Sequence, residues 1–171
     1  NEFTNLIGNS TKDQLIKKKL LLIEKIIIEI NSTLSIEREE ARLTIEKKMN
    51  TLLKLSIKNE VCKIDESFNL VVYNKIDNSV EPKSAGKTNL LSLMYVASLL
   101  EFCKERRGAE KEFLINGTNA PLILDAPFSN LGKTYIKMCA SFIPKMTEQV
   151  ILLTKEDTFD EIKDLVKDKI G

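Results

Sequence analysis

The stretch Leu122-Ile123-Leu124-Asp125-Ala126-Pro127-Phe128 decides the fold of this 171-residue chain. Its three leading apolar residues are typical of a buried strand, and a carboxylate at the end of such a strand needs a cation, a partner or solvent to compensate its charge. Nucleotide-hydrolysing α/β domains bind Mg²⁺ with an acidic residue in this position. The alternative is that Asp125 only caps the turn that begins at Ala126-Pro127.

A second segment, Ser84-Ala85-Gly86-Lys87-Thr88-Asn89, stands directly before a strongly apolar helical stretch, residues 90–103. Small residues at a helix N-terminus leave backbone N–H groups accessible, and the helix dipole favours anions there. This segment therefore predicts a phosphate site. The alternative is an ordinary N-cap, in which Ser84 satisfies one N–H group.

Neither Gly-Lys-Thr tripeptide of the chain belongs to a P-loop. A P-loop requires a second glycine five positions before the glycine of its Gly-Lys pair. Glu81 occupies that position for the tripeptide 86–88, and Pro127 occupies it for the tripeptide 132–134. The chain alone therefore encodes no Walker A motif.

The order of these segments resembles the C-terminal lobe of an ABC-type ATPase head, of the SMC-like, SbcC-like and DndD-like branch that acts in DNA repair and bacterial anti-phage defence. The resemblance covers roughly residues 36–170. It implies an α/β fold, in which parallel strands are flanked by helices and the base of a coiled coil lies N-terminal to them. Walker A belongs to a separate N-terminal lobe in this family, so the chain would be half of a head.

The resemblance also implies roles for particular residues, with ATP and Mg²⁺ as cofactors. Asp125 would be the catalytic Walker B carboxylate, positioning Mg²⁺ through water. The signature motif that contacts ATP and the D-loop are matched by two short runs: Ser84, Ala85, Gly86 and Lys87 for the signature motif, and Ser129, Asn130 and Leu131 for the D-loop.

Three positions on the hydrolysis side depart from the family pattern. Ala126 replaces the glutamate that activates water, Gly132 replaces the D-loop aspartate, and Lys155 occupies the position of the switch histidine. Losing a general base typically lowers a rate by about a hundredfold to ten-thousandfold. The sequence is compatible with a slow ATPase, with an SMC-like scaffold that binds partners without turnover, or with a coiled-coil adaptor that carries an unrelated α/β domain.

The expected binding partners are inferred from the resemblance, because the net charge of the chain does not indicate them. The formal net charge is +1, so it does not indicate nucleic acid, and the short clusters at residues 12–19 and 104–107 are explained equally well as solvated helix faces. The resemblance implies the N-terminal lobe, a second head and DNA as partners. A nuclease or other effector subunit is a further expectation, and repair and anti-phage defence remain alternatives.

The cysteines and the apolar runs favour a cytoplasmic protein. Cys62, Cys103 and Cys139 are scattered without the paired spacing of a zinc site, which fits a reducing compartment. The strongest apolar run, residues 20–30, contains three charged residues and is shorter than the ~20 residues that a membrane span requires. We therefore expect no membrane association.

The resemblance implies a division into residues 1–35, a loop and the base of a coiled-coil arm, and residues 36–171, the C-terminal lobe of the ATPase head. Periodicity alone fits an ordinary core helix in the first part equally well. The seam of the arm has alternating spacings of four and three, at Ile16, Leu20, Ile23, Ile27, Ile30 and Leu34. A helix is predicted from about Lys12, interrupted at 31–35, and a second helix up to about Ile57. Alternating residues at 61–73 predict a hairpin or two short strands, and a helix is predicted after Ser84. From residue 122 the order strand, helix, strand, helix, with strands that are expected to be buried, predicts a parallel sheet.

Overall fold

The computed structural model describes residues 2–107 and 121–166, with side chains from residue 13 onward. In these described residues, four α-helices, four strands and one 3₁₀ turn at Ile143–Lys145 follow one another. The helices are α1 (Glu2–Ser56), α2 (Ala85–Arg107), α3 (Lys133–Phe142) and α4 (Glu156–Val166), and the strands are β1 (Glu60–Ile64), β2 (Leu70–Asn74), β3 (Leu122–Asp125) and β4 (Val150–Leu153). The segment between α2 and β3, residues 108–120, lies outside the described residues.

Helix α1 is continuous over 55 residues, which corrects two predictions. Residues 2–11 are helical and not a loop, and the interruption predicted at 31–35 is wrong. No glycine or proline occurs between residues 9 and 56, so nothing in the backbone breaks the helix there. Thr33 stays helical because its Oγ1 donates a hydrogen bond to the carbonyl oxygen of Glu29, at 3.0 Å.

The chain forms two compact units, residues 1–40 and residues 41–171. In the first unit, the apolar side chains between residues 15 and 34 are exposed to between 37% and 67% of their surface. Apolar residues on a helix surface usually pack against another element. The coiled-coil assignment of this segment remains a prediction.

In the second unit, the last turns of α1 pack into a hydrophobic core. Ile45, Met49 and Leu53 recur every fourth residue and are buried on one face of the helix. Met49 and Leu53 belong to the same buried cluster as Cys62 of β1 and Met94 of α2. The core therefore fixes the start of β1 and the axis of α2, which carry residues of the candidate site.

Strands β1 and β2 form the predicted hairpin, with Glu60 opposite Asn74 in an antiparallel register. The side chain of Asn50 joins α1 to this hairpin, since its Nδ2 donates to the carbonyl oxygen of Cys62 and its Oδ1 accepts from the N–H group of Cys62, both at 2.9 Å. Burying a backbone polar group is costly unless it is paired, so this double contact stabilises the junction.

Strands β3 and β4 are parallel, with Asp125 opposite Leu153, as the sequence predicts for an α/β domain. One face of this two-stranded sheet packs on the core, whereas Ile123, Ile151 and Leu153 on the other face are 62%, 41% and 51% exposed. Parallel sheets are usually covered on both faces. The sheet therefore presents an apolar face that lacks a cover among the described residues.

Within the described part of the chain, no helix is both long and apolar enough to span a bilayer.

Candidate functional site

Ser84 immediately precedes α2 and caps it. Its Oγ accepts a hydrogen bond from the N–H group of Lys87 at 3.2 Å, and its carbonyl oxygen accepts from the N–H group of Thr88 at 2.8 Å. The N-cap interpretation is therefore confirmed. The hydroxyl is exposed and retains its own proton, so it can still donate to an anion in front of the helix.

Gly86, in the first turn of α2, lies against the turn that follows β3. A Cβ atom added at Gly86 would stand 2.4 Å from the carbonyl oxygen of Asn130. Beside this contact, Nδ2 of Asn89 donates to the carbonyl oxygen of Ser129 at 2.6 Å. The structure thus brings the two segments that were expected to form the signature motif and the D-loop into direct contact.

The turn from Ala126 to Leu131 is held by short-range hydrogen bonds. Both the N–H group and Oγ of Ser129 donate to the carbonyl oxygen of Ala126, and the N–H group of Leu131 donates to the carbonyl oxygen of Phe128. Ala126 and Asn130 have φ values of 45° and 63°. A left-handed alanine costs about 1–2 kcal/mol, so the rest of the turn imposes a strained backbone directly after Asp125.

Asp125 is the last residue of β3, and its side chain is exposed. The N–H group of Ala126 donates to the carbonyl oxygen of Leu153, which extends the pairing with β4 beyond Asp125. Lys155 is also exposed and stands between β4 and α4. Asp125 and Lys155 thus follow the carboxyl ends of neighbouring parallel strands, the edge at which α/β sheets bind ligands.

Lys87 does not extend into solvent, because its ammonium group is bound by two carboxylates. Nζ lies 2.8 Å from Oε1 of Glu60 and 3.9 Å from Oε2 of Glu81, and the side chains of Lys87 and Glu60 are 14% and 12% exposed. Nδ2 of Asn74 donates to Oε1 of Glu81 at 2.9 Å. Lys87 therefore ties the start of α2 to β1 and to the segment before Ser84.

No sequence pattern indicates Glu60 as part of this site. It begins β1, 27 residues before Lys87, and only the tertiary fold brings the two together. Its second oxygen, Oε2, is buried without a hydrogen-bond partner. The spacing between Gly86 and Asn89 could have identified Asn89 as a site residue, since residues three apart lie on the same helix face.

An open cleft of about 600 Å³ lies in front of the signature and D-loop segments. Ser84, Gly86 and Lys87 form one wall, and Asn130 and Leu131 form another. Asp125, Ala85 and Ser129 are not among the described residues that line it. The structure therefore unites most of the predicted signature and D-loop residues around one cleft and leaves Asp125 outside it.

Among the residues that the structure describes, no three His, Cys, Asp or Glu side chains cluster as metal ligands. Asp125 would hold a metal only as a single carboxylate. That donor set suits Mg²⁺, which keeps several of its waters and is often bound through one or two carboxylates together with substrate phosphates.

Comparisons with known proteins support the fold. No family model matches the chain, and no curated protein sequence matches it. A solved chain from a structural study of ATP-driven dimerization and DNA-stimulated activation of SMC ATPases is similar in structure, with 17% sequence identity and a TM-score of 0.51. The similarity covers 74% of this chain and 76% of that chain. The chain shares the fold of an SMC ATPase.

At this level of identity the SMC-like likeness concerns the fold alone. The mixed order of helices and strands and the parallel pair β3–β4 agree with the α/β class. The contact between Gly86 and Asn130 joins the two segments that the sequence analysis expected to form the signature motif and the D-loop.

Proposed function

We propose that this chain is the C-terminal lobe of an SMC-like ATPase head, which binds ATP between two heads. The observation that carries the proposal is the contact of Gly86 with Asn130, which sets the signature segment, Ser84–Lys87, beside the D-loop segment, Ser129–Leu131. In ATPases of this type these segments face the nucleotide bound by the opposite head. The SMC-like fold supports the same assignment.

The signature segment has the chemistry of a phosphate ligand. The exposed hydroxyl of Ser84 has a proton to donate, and the unpaired N–H groups in the first turn of α2 add a positive partial charge. Gly86 leaves space where a side chain would collide with Asn130. These groups would bind the γ-phosphate of ATP held by the second head, which makes a homodimer the functional unit.

Asp125 would serve a different nucleotide, the one held by its own head. Its exposed carboxylate at the end of β3 fits Mg²⁺ bound through water, and ATP would be held by the Walker A motif of an N-terminal lobe. Bound Mg²⁺ would neutralise the charge that develops on the phosphate oxygens. Asp125 does not line the cleft, which agrees with a head that contributes to two different nucleotide sites.

The exposed apolar face of the β3–β4 sheet supports the need for an N-terminal lobe. Ile123, Ile151 and Leu153 would be covered by that lobe, since a parallel sheet is normally buried on both faces. The exposed apolar residues of α1 would in the same way pack against the returning helix of a coiled-coil arm. The chain would then be half of one head with the base of its arm.

Hydrolysis by this head would be slow. Ala126 offers no carboxylate to activate water, and Gly132 and Lys155 replace two further groups of the hydrolytic apparatus. ATP would hold two heads together, and its hydrolysis would release them and move the arm. We place this cycle in a cytoplasmic DNA-processing or DNA-sensing machine of the SbcC-like or DndD-like type, in repair or anti-phage defence, with DNA and a nuclease or other effector subunit as partners.

Ala126 also favours a second candidate function, an SMC-like scaffold that binds partners and does not hydrolyse ATP. An ATPase assay on the protein that includes both lobes distinguishes the two. Measurable turnover, with or without DNA, supports the slow ATPase. Complete absence of turnover under both conditions supports the scaffold.

The dimerisation proposal is tested by Ser84→Arg in the protein that includes both lobes. The arginine would fill the phosphate position in front of α2, so light scattering should show loss of the ATP-dependent dimer while ATP binding to Walker A is retained. Ser92→Arg, an exposed serine on the same helix, is the matched control and should dimerise normally. Normal dimerisation of Ser84→Arg would contradict the signature assignment.

A further inference from the structure

A second cavity of the residue 41–171 unit lies away from the candidate site. It is a groove of about 860 Å³, bounded by the last turns of α1, the C-terminal half of α2 and the end of α3 with the following 3₁₀ turn. We call it the α1–α2 groove. It shares no lining residue with the cleft in front of Ser84.

Much of the exposed lining of the α1–α2 groove is apolar. Leu52, Leu55, Phe142 and Met146 contribute to it, and Leu55 is 71% exposed. An exposed leucine in a concave apolar surface is a common anchor point for a partner, because its burial removes apolar area from water. The groove therefore exposes apolar surface of Leu55 to water.

The rim of the α1–α2 groove is basic. Lys48 is neutralised, since its Nζ lies 3.2 Å from Glu101 and 2.6 Å from Glu105. The ammonium groups of Lys47, Lys104 and Lys145 are exposed and make no hydrogen bond or ion pair with the described residues. The four lysines and two glutamates of the lining therefore leave the groove with a net positive charge, to which Lys47, Lys104 and Lys145 contribute from three different elements.

We propose that the α1–α2 groove docks an amphipathic helix of a partner protein, with acidic residues on both sides of its apolar stripe. The apolar stripe would cover Leu55, and the acidic borders would pair with the lysines of the rim. This is the helix-in-groove mode of recognition, in which apolar anchors supply affinity and charges supply orientation and association rate. A nucleic acid backbone would pair with the lysines, but it would leave Leu52 and Leu55 uncovered.

The proposal is tested with a fluorescein-labelled synthetic helix that carries Leu at positions i, i+3, i+4 and i+7 and Glu on both flanks. Fluorescence anisotropy should show saturable binding to the chain, weakening as salt is raised. A matched helix with Lys in place of Glu should bind at least about tenfold more weakly, because both faces would then be basic.

Substitutions in the groove test whether the synthetic helix binds there. Lys47→Glu combined with Lys104→Glu should weaken the acidic helix by about tenfold, whereas Lys54→Glu, an exposed lysine of α1 outside the groove, should not. Leu55→Ser should weaken it similarly, with Leu43→Ser, a half-exposed leucine of α1, as control. Because Leu55 is largely exposed, its replacement should leave the thermal unfolding curve unchanged.

Three outcomes would overturn the proposal. The first is equal affinity of the acidic and basic helices. The second is competition by a DNA duplex that depends on the same lysines, which would make the groove a nucleic-acid surface. The third is self-association of the chain that Leu55→Ser abolishes, which would make it an interface between copies.

Discussion

A Cβ atom on Gly86 would stand 2.4 Å from the carbonyl oxygen of Asn130. These residues are far apart in the chain, one in the first turn of α2 and the other in the turn after β3. The oxygen belongs to the backbone and cannot move away as a flexible side chain would. The two segments therefore pack so closely that only glycine fits at position 86.

Gly86→Ala is expected to destabilise the chain by about 1–3 kcal/mol, because the added methyl group must displace the backbone at Asn130. Equilibrium unfolding in urea measures this free energy. Gly132→Ala is the matched control, since nothing lies within 4 Å of a Cβ atom there, and it should cost less than about 1 kcal/mol. Equal losses from the two substitutions would contradict the close approach.

Lys87→Met is expected to lower the free energy of unfolding by about 2–3 kcal/mol, since it leaves the carboxylate of Glu60 largely buried and unpaired. A double variant, Lys87→Met with Glu60→Gln, should cost less than the sum of the single changes, because the isolated charge is gone. Urea unfolding of the unmodified chain, the two single variants and the double variant gives the coupling free energy between Lys87 and Glu60. Strict additivity would show that this ion pair contributes nothing to anchoring α2.

Ala126→Glu is expected to raise ATP turnover by about a hundredfold in the protein that includes both lobes, because it supplies the missing base. The left-handed backbone at this position already accommodates an L-residue, with φ of 45°, and the side chain is exposed. Ala126→Gln, of the same size but without basicity, serves as control. If Gln and Glu raise the rate equally, general-base catalysis is not the explanation.

The buried thiols should remain unreactive in the folded chain and make stability fall at alkaline pH. Burial raises the pKa of both Cys62 and Cys139 to about 12. Because these values lie above that of an unfolded thiol, near 9.0, the associated stability is full below pH 9 and is lost progressively towards pH 12. Cys62→Ala combined with Cys139→Ala should flatten this alkaline decline in urea unfolding.

Thiol labelling gives a second readout of the same burial. A disulfide reagent at pH 8 should modify the half-buried Cys103 in the native chain and should reach the other two thiols only after unfolding. Rapid modification of all three thiols in the native state would contradict the burial of Cys62 and Cys139.

Local patterns predicted most elements because each depends on neighbouring residues. The strand at Asp125 and the cap at Ser84 follow from an apolar run, turn residues and helix-start signals. The parallel pairing of β3 with β4 was predicted from the order of the elements. The predicted break at residues 31–35 was wrong, because Asn, Ser and Thr favour turns only weakly. A helix without glycine or proline tolerates them, as Thr33 does through its bond to Glu29.

The sequence by itself determined that Asp125 ends a strand and that Ser84 begins a helix, since both depend on side chains within a few residues. The expectation that this strand is buried was wrong, because Ile123 is 62% exposed and no residue of β3 is fully buried. Only the tertiary structure decided that Gly86 packs on Asn130 and that Lys87 is bound by Glu60. These contacts join residues that lie far apart in the chain, and their geometry follows from how the core orients β1, α2 and the turn after β3. Sequence periodicity records which face of an element is apolar, but not which element packs against it.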